Sequence, residues 1–196
     1  MPLLVLASRS PRRRELLSRL GLDFVVIPSD VAEEQYTSLP PVARVTALAR
    51  AKVEAVTRGL TEAVVVAADT LVVCEGRVLG KPASREEAEA MLTFLSGKTH
   101  EVYTGVAVMS VPGRVCRETW ERTEVRFRRL SEREIKAYVA TGEPLDKAGA
   151  YGIQGRGALL VEGIVGDFFN VVGLPLVKTA MLLEECGFSV WGEPGG

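Results

Sequence analysis

Two long strand-like runs, residues 100–111 and 114–130, flank Pro112-Gly113 in a chain that otherwise alternates strands with helices. A Pro-Gly pair reverses the chain, so the two runs form an antiparallel pair. Alternation elsewhere calls for helical crossovers and parallel strands. Both demands are met by an α/β fold with a mixed sheet. The other strands are expected at 3–8, 24–30, 63–73 and 158–166, with "EGRVLG" forming a hairpin turn after the third. Helices are expected at 11–21, 40–59, 84–97, 131–142 and 174–187. Their ends are punctuated by Ser10 before Pro11, by capping boxes Ser84–Glu87 and Ser131–Glu134, and by stops at Gly21, Gly59, Gly97 and Gly142. The tail after Trp191 is expected to fray. No repeat, low-complexity tract or linker divides the chain, so residues 1–196 read as one domain of two lobes.

Composition narrows the function classes. A chain of 196 residues, 47% hydrophobic and 25% charged, buries a core that needs no metal or disulfide staple. A net charge of −1 argues against non-specific nucleic-acid binding. No apolar run reaches the length of a membrane span; the longest, Ala63 to Cys74, is broken by Asp69. The run "MPLLVLASRS" has neither the n-region nor the cleavage site of a signal peptide. Cys74, Cys116 and Cys186 are odd in number and far apart, which suits a reducing compartment and a cytoplasmic location. Asn170 is the one asparagine, and Gln35 and Gln154 are the two glutamines. Such scarcity, with 18 Arg against 6 Lys, suits a heat-adapted host or a GC-rich genome.

Three places carry chemistry. In "ASRSPRRRELL" a strand runs into a helix N-terminus, where free N–H groups and the macrodipole favour an anion. Arg12, Arg13 and Arg14 in that first turn are unfavourable by themselves, and a phosphate would reverse the sign. Successive helical residues point about 100° apart, so Arg12 and Arg13 are the pair expected at the anion, with Ser8 and Ser10 near. A solvated basic turn paired with Glu15 is the plain alternative. In "VVVAADTLVV" a carboxylate interrupts an apolar run, which is costly unless it is paired or holds a metal. Asp69 is therefore placed where the strand meets a cleft, beside the Thr70 hydroxyl; a structural hydrogen-bond network would also account for it. Lys52, Lys81 and Glu33 matter only if they gather near Asp69. The segment "SGKT" lacks the glycine of a P-loop, and one histidine, His100, is too few for a zinc cluster and a weak basis for a Ser–His triad. Carboxylates remain, and they suit Mg²⁺ or Mn²⁺ held jointly with phosphates.

The blocks "LASRSPRRRELL", "AADTLVV", "GKP", "YTGVAV", "EPLDKAGAYGIQG" and "GDFFNVVGLPL", in this order from residue 4 to about 176, resemble the Maf family of nucleoside triphosphate pyrophosphatases. The resemblance implies a two-lobed α/β fold with a mixed sheet and a central cleft, similar to inosine-triphosphate pyrophosphatases. It also implies metal-dependent hydrolysis of a nucleoside triphosphate to the monophosphate and pyrophosphate. Carried over by position, it puts Arg12, Arg13 and Ser8 at the phosphates and has Lys52 and Lys81 neutralise charge. Asp69 becomes general base or metal ligand, with Glu33 helping to hold the metal. The block "DKAGAYGIQG" is similar to the branch acting on dTTP and UTP. Ala32 stands where the family often has an acid, which weakens a second metal contact from that loop, although Asp30 and Glu34 are near.

The glycine-rich stretch 143–157 then has a use. Gln154 offers an acceptor and a donor in one plane, matching N3–H and O4 of uracil and thymine; a flipped amide would also accept cytosine. Tyr151 reads as a base-stacking ring or a core ring, and Asp146 with Lys147 as an ion pair shaping the loop or as catalytic groups. Asn170 reads as satisfying buried backbone. The partner expected is a nucleoside triphosphate, with neither nucleic acid nor membrane, and a homodimer is left open. Alternatives are a 7-methyl-GTP or broad-specificity pyrophosphatase, a nucleotide-binding regulator of cell division with little turnover, and an RNA-binding module using "RFRR" (126–129).

Overall fold

The computed structural model describes residues 2–192, so the tail expected to fray falls, beyond Gly192, outside the described residues. Among those residues the strands form one seven-stranded mixed sheet. Strand β1 (Leu4–Leu6) lies between β2 (Val25–Val26) and β3 (Ala63–Cys74), parallel to both, with Val5 opposite Val25 and Val65. All three β1 residues are buried, as a parallel strand covered on both faces requires. Strand β2 is much shorter than residues 24–30. The pairing ends after Ile27 N donates to Leu6 O, because Pro28 has no N–H to offer.

The order continues from β3 through β5 (Thr99–Val111) and β6 (Cys116–Phe127) to β7 (Val161–Val165), while β4 (Arg77–Leu79) pairs antiparallel with the end of β3. The turn around Pro112-Gly113 joins β5 to β6, closed by Ser110 N donating to Val115 O at 3.0 Å. Strand β7 pairs antiparallel with β6, and the parallel and antiparallel edges together make the sheet mixed. The strand expected from residue 158 begins only at Val161, because 155–160 coil into a 3₁₀ turn first.

The helices are α1 (Pro11–Ser18), α2 (Pro41–Thr57), α3 (Arg85–Leu95), α4 (Glu132–Ala140), α5 (Phe168–Val172) and α6 (Leu176–Glu185). The short α5 has no counterpart among the expected elements, since five residues cannot display a helical period. Ser131 and Glu134 make the reciprocal capping box foreseen for α4. At α3 only half of the box forms: Ser84 Oγ accepts from Glu87 N, but the Glu87 carboxylate accepts from Ala83 N instead of Ser84 N.

The chain forms two compact units. The first comprises the chain up to Asp69, Thr104–Glu121 and the part from Gly173 on. In it α2 lies on the sheet: Ala49, Val53 and Val56 at helical spacing meet Val5, Ala7, Ala63, Val65, Ala67, Ala107 and Met109 at strand spacing. The approach is closest at Gly105, where an added Cβ would stand 2.4 Å from the backbone carbonyl of Val45.

The second unit comprises Thr70–Tyr103 and Arg122–Val172. Helices α3 and α4 pack together there, burying Leu92, Leu95, Ile135 and Val139. Beside them His100, Phe127 and Tyr151 stack edge to face, with His100 Nε2 and Tyr151 Oη 2.7 Å apart. Among the described residues His100 Nδ1 has no hydrogen-bond partner. Burial pushes the imidazole pKa down from 6.5 to about 4, so the ring is neutral at pH 7. Above pH 6.5 neither folded nor unfolded chain protonates it. Between pH 6.5 and 4 the unfolded chain gains a proton that the folded chain refuses, so stability falls as the solution is acidified. The expected loss across that window is about 3 kcal/mol. Urea titrations at intervals from pH 7 to 4 measure it, and His100→Leu should flatten the curve relative to wild type.

Candidate active site

Helix α1 begins where β1 ends. Ser10 caps it by accepting from Arg13 N, and Ser8 Oγ accepts from Ser10 N at 3.1 Å. Pro11 occupies the first turn, where its missing N–H costs nothing, and that turn holds no acid. Arg13 is anchored from the other end of the sequence. Its Nε donates to Gly173 O at 2.8 Å, and Nη1 reaches Ser8 Oγ at 3.5 Å. Burial pushes the guanidinium pKa down, Asp69 and Glu33 pull it up, and Arg12 opposes them. Arg13 therefore stands within electrostatic reach of the two carboxylates and a second cation, while Arg14 faces solvent.

Asp69 lies in β3 and is buried. Lys52 comes from the fourth turn of α2, also buried, and its Nζ donates to Asp69 Oδ1 at 2.8 Å. The same ammonium meets Glu33 Oε1 at 2.7 Å. Glu33 opens a 3₁₀ turn, Glu33–Tyr36, that leads into α2 and leaves its side chain half exposed. Thus one cation position is shared by two carboxylates, one buried and one open to water. Lys52 looks like an ordinary helix residue in the sequence, yet here it is the centre of the cluster. Asp30 stays outside, at 4.0 Å from Arg9 and fully exposed.

This donor set suits a hard divalent cation only in part. Two carboxylates converge, but among the described residues no group of three or more His, Cys, Asp or Glu could hold a metal. An ion here would need phosphate oxygens or water for its other positions, as Mg²⁺ ordinarily does.

The remaining expected residues lie in the second unit. Thr70 follows Asp69 in β3 and is half buried; Lys81 is exposed just after β4. Gln154 is half buried with an extended backbone, and its side chain does not cap the 3₁₀ turn that it precedes. Lys147 donates to Asp146 Oδ1 and to Glu143 O, both at 2.6 Å, so the two form the ion pair read from the sequence. Tyr151 is a core ring, 5% exposed, with its hydroxyl 2.7 Å from His100 Nε2. Asn170 donates to Val102 O and Thr123 Oγ1, tying α5 to β5 and β6. In "RFRR", Arg126 meets Glu162 and Arg128 meets Glu134, so acids answer the stretch offered to RNA.

The family described as Maf-like protein matches residues 3–186. This chain belongs to the Maf family. A Moorella thermoacetica relative named dTTP/UTP pyrophosphatase is 66% identical to this Maf chain over 98% of its length and 100% of the relative's. A Pelotomaculum thermopropionicum protein of the same name is 51% identical over 95% and 98%. Among solved structures, a HAM1 protein from Coxiella burnetii aligns with 66% of the Maf chain and 75% of its own at 19% identity and a TM-score of 0.43.

Three participants escaped sequence reasoning. Gly173 contributes a carbonyl, which no side-chain pattern signals. Glu143 and Tyr138 hold the Gln154 loop, and their partners lie up to 14 residues away. The scarce amides drew attention to Gln154, but nothing in composition distinguishes Glu143 from the 19 other glutamates of the chain.

Proposed function

We propose that this Maf chain hydrolyses dTTP and UTP to the nucleoside monophosphate and pyrophosphate, using Mg²⁺ or Mn²⁺. The observation that carries the reading is the Asp69–Lys52–Glu33 cluster: two carboxylates on one ammonium, with Arg13 close enough for its charge to be felt. Such a cluster has the charges that a polyphosphate and a divalent ion need, in a partly dry setting. The name of the relative at 66% identity supports the choice of substrates.

In this reading Asp69 and Glu33 would hold the metal, which would neutralise phosphate charge and make a bound water more acidic. Asp69 orients or deprotonates the attacking water. The water oxygen bonds to the α-phosphorus, the bond from that phosphorus to the bridging oxygen breaks, and the electron pair leaves with pyrophosphate. Arg12 and Arg13 bind phosphate oxygens with Ser8 beside them, and Lys52 turns from its carboxylates towards the same charge. For Lys81 at the phosphates, and for Thr70 and Gln154 towards the rest of the substrate, the proposal rests on the resemblance.

The test is a kcat/KM panel over dTTP, UTP, CTP, ATP and 7-methyl-GTP with each metal, following pyrophosphate release. Preference for dTTP and UTP is expected; equal rates on all five, or none, would refute the reading. Gln154 carries a narrower expectation. Gln154→Leu removes both hydrogen-bonding groups while keeping bulk, so KM for UTP should rise about tenfold or more. Inhibition by pyrophosphate, which has no base, should not change. Competition assays with both ligands check this.

A further inference from the structure

We infer that Glu143, acting with the Tyr138 hydroxyl, is a positioning residue that holds the Gln154 loop in its base-reading conformation; this rests on the function proposed above.

The carboxylate of Glu143 gathers three donors. Tyr138 Oη donates to Oε1 at 3.0 Å, Gly157 N donates to Oε1 at 3.2 Å, and Arg156 N donates to Oε2 at 3.2 Å. Tyr138 Oη in turn accepts from Gly152 N at 3.2 Å. Two residues thus bind the loop on both sides of Gln154, at 152 and at 156–157. The loop's neck is as tight as backbone allows. A Cβ on Gly157 would stand 2.0 Å from Gly152 O and 2.7 Å from Tyr138 Oη, so only glycine fits there.

Between the two sides of the neck lies a short tip with a clear division. Ile153 is buried at 8% exposure, while Gln154 is half exposed. Among the described residues no hydrogen bond employs the Gln154 side-chain amide, whereas the backbone amides and the carboxylate around it are engaged. A loop that spends a half-buried carboxylate on its neck and leaves an amide at its tip uncommitted is organised to present that amide. A carboxylate accepting from two backbone N–H groups and a phenol makes charge-assisted bonds, stronger than neutral ones. Lys147 adds to the hold by donating to Glu143 O.

The chemistry of the reaction separates a positioning role from a purely structural one. Base contacts far from the reacting phosphorus contribute equally to ground and transition states, so their loss raises KM and spares kcat. Partial unfolding does the opposite: it lowers the active fraction, hence kcat, with KM unchanged. Tyr138→Phe keeps the ring, which is buried, and removes the bond to Gly152 on one side of the neck together with the bond that ties this hydroxyl to Glu143. Glu143→Gln keeps the shape and replaces an acceptor oxygen by a donor.

KM for UTP should rise about fivefold in Tyr138→Phe and about tenfold or more in Glu143→Gln, each with kcat within twofold and an unchanged inhibition constant for inorganic pyrophosphate. Adding either change to Gln154→Leu should produce no further rise, because there is nothing left to position. Loss of kcat at constant KM, or a full additional rise on top of Gln154→Leu, would overturn the inference and leave the base-reading role of Gln154 standing. If Gln154→Leu alone leaves KM for UTP unchanged, the base-reading role itself fails and the function assigned to Glu143 goes with it.

Discussion

Asp69→Asn should lower kcat on UTP by about a thousandfold or more while the protein stays folded. The size follows from the position. Asp69 is the buried carboxylate of the cluster and the group proposed to act on the attacking water. An amide of the same shape cannot take a proton from water and is a poor ligand for a divalent ion. The fold should tolerate the change for an equally local reason. Lys52 keeps Glu33 at 2.7 Å as a counter-ion, and an asparagine oxygen can still accept from Nζ. Removing a negative charge near the triphosphate should also leave nucleotide binding as tight as before, or tighten it. Single-turnover kinetics, calorimetric titration with UTP and thermal melts test the three parts. Turnover within tenfold of wild type would remove Asp69 from the chemistry.

Gly105→Ala should cost about 3–5 kcal/mol and lower Tm by about 10 °C. The new methyl would lie 2.4 Å from Val45 C and O and 2.7 Å from Thr46 N. Those are backbone atoms of α2, so no side chain can swing away. The helix cannot lift cheaply either, since Val45, Leu48, Ala49 and Val53 are all fully buried under it. Whatever shift occurs is carried along α2 to Lys52, so the folded fraction should also lose activity. Gly105→Ser is expected to behave alike. A melt unchanged by either substitution would mean that α2 sits loosely on the sheet.

Much of this was legible beforehand. Helix α2 announced itself through apolar residues at helical spacing and glycine punctuation, and β3 through its unbroken apolar run. The mixed sheet followed from one Pro-Gly reversal in an alternating chain. Asp69 stood out because a charge amid valines and alanines needs a reason. Strand β2 and the start of β7 were misjudged at their ends, where a proline without a donor and a 3₁₀ turn decide the boundary and hydropathy does not. Lys52 was a candidate whose place in the cluster the residues alone could not fix. A lysine on an amphipathic helix reads as solvated, and only the arrival of β3 and the Glu33 turn beside it makes the position polar and enclosed. Glu143 is the same lesson in a loop: its partners are backbone amides, and every residue has those.

The interrupted make-up of the two units bears on how the protein is born. The first unit needs three separate stretches, the last starting at Gly173, whereas the second is complete once Val172 exists. A nascent chain emerging from the ribosome therefore holds the finished later unit before it holds the earlier one. Until α6 emerges with Leu182 and Leu183, and until Gly173 can anchor Arg13, the growing polypeptide exposes greasy surface that a chaperone could shield.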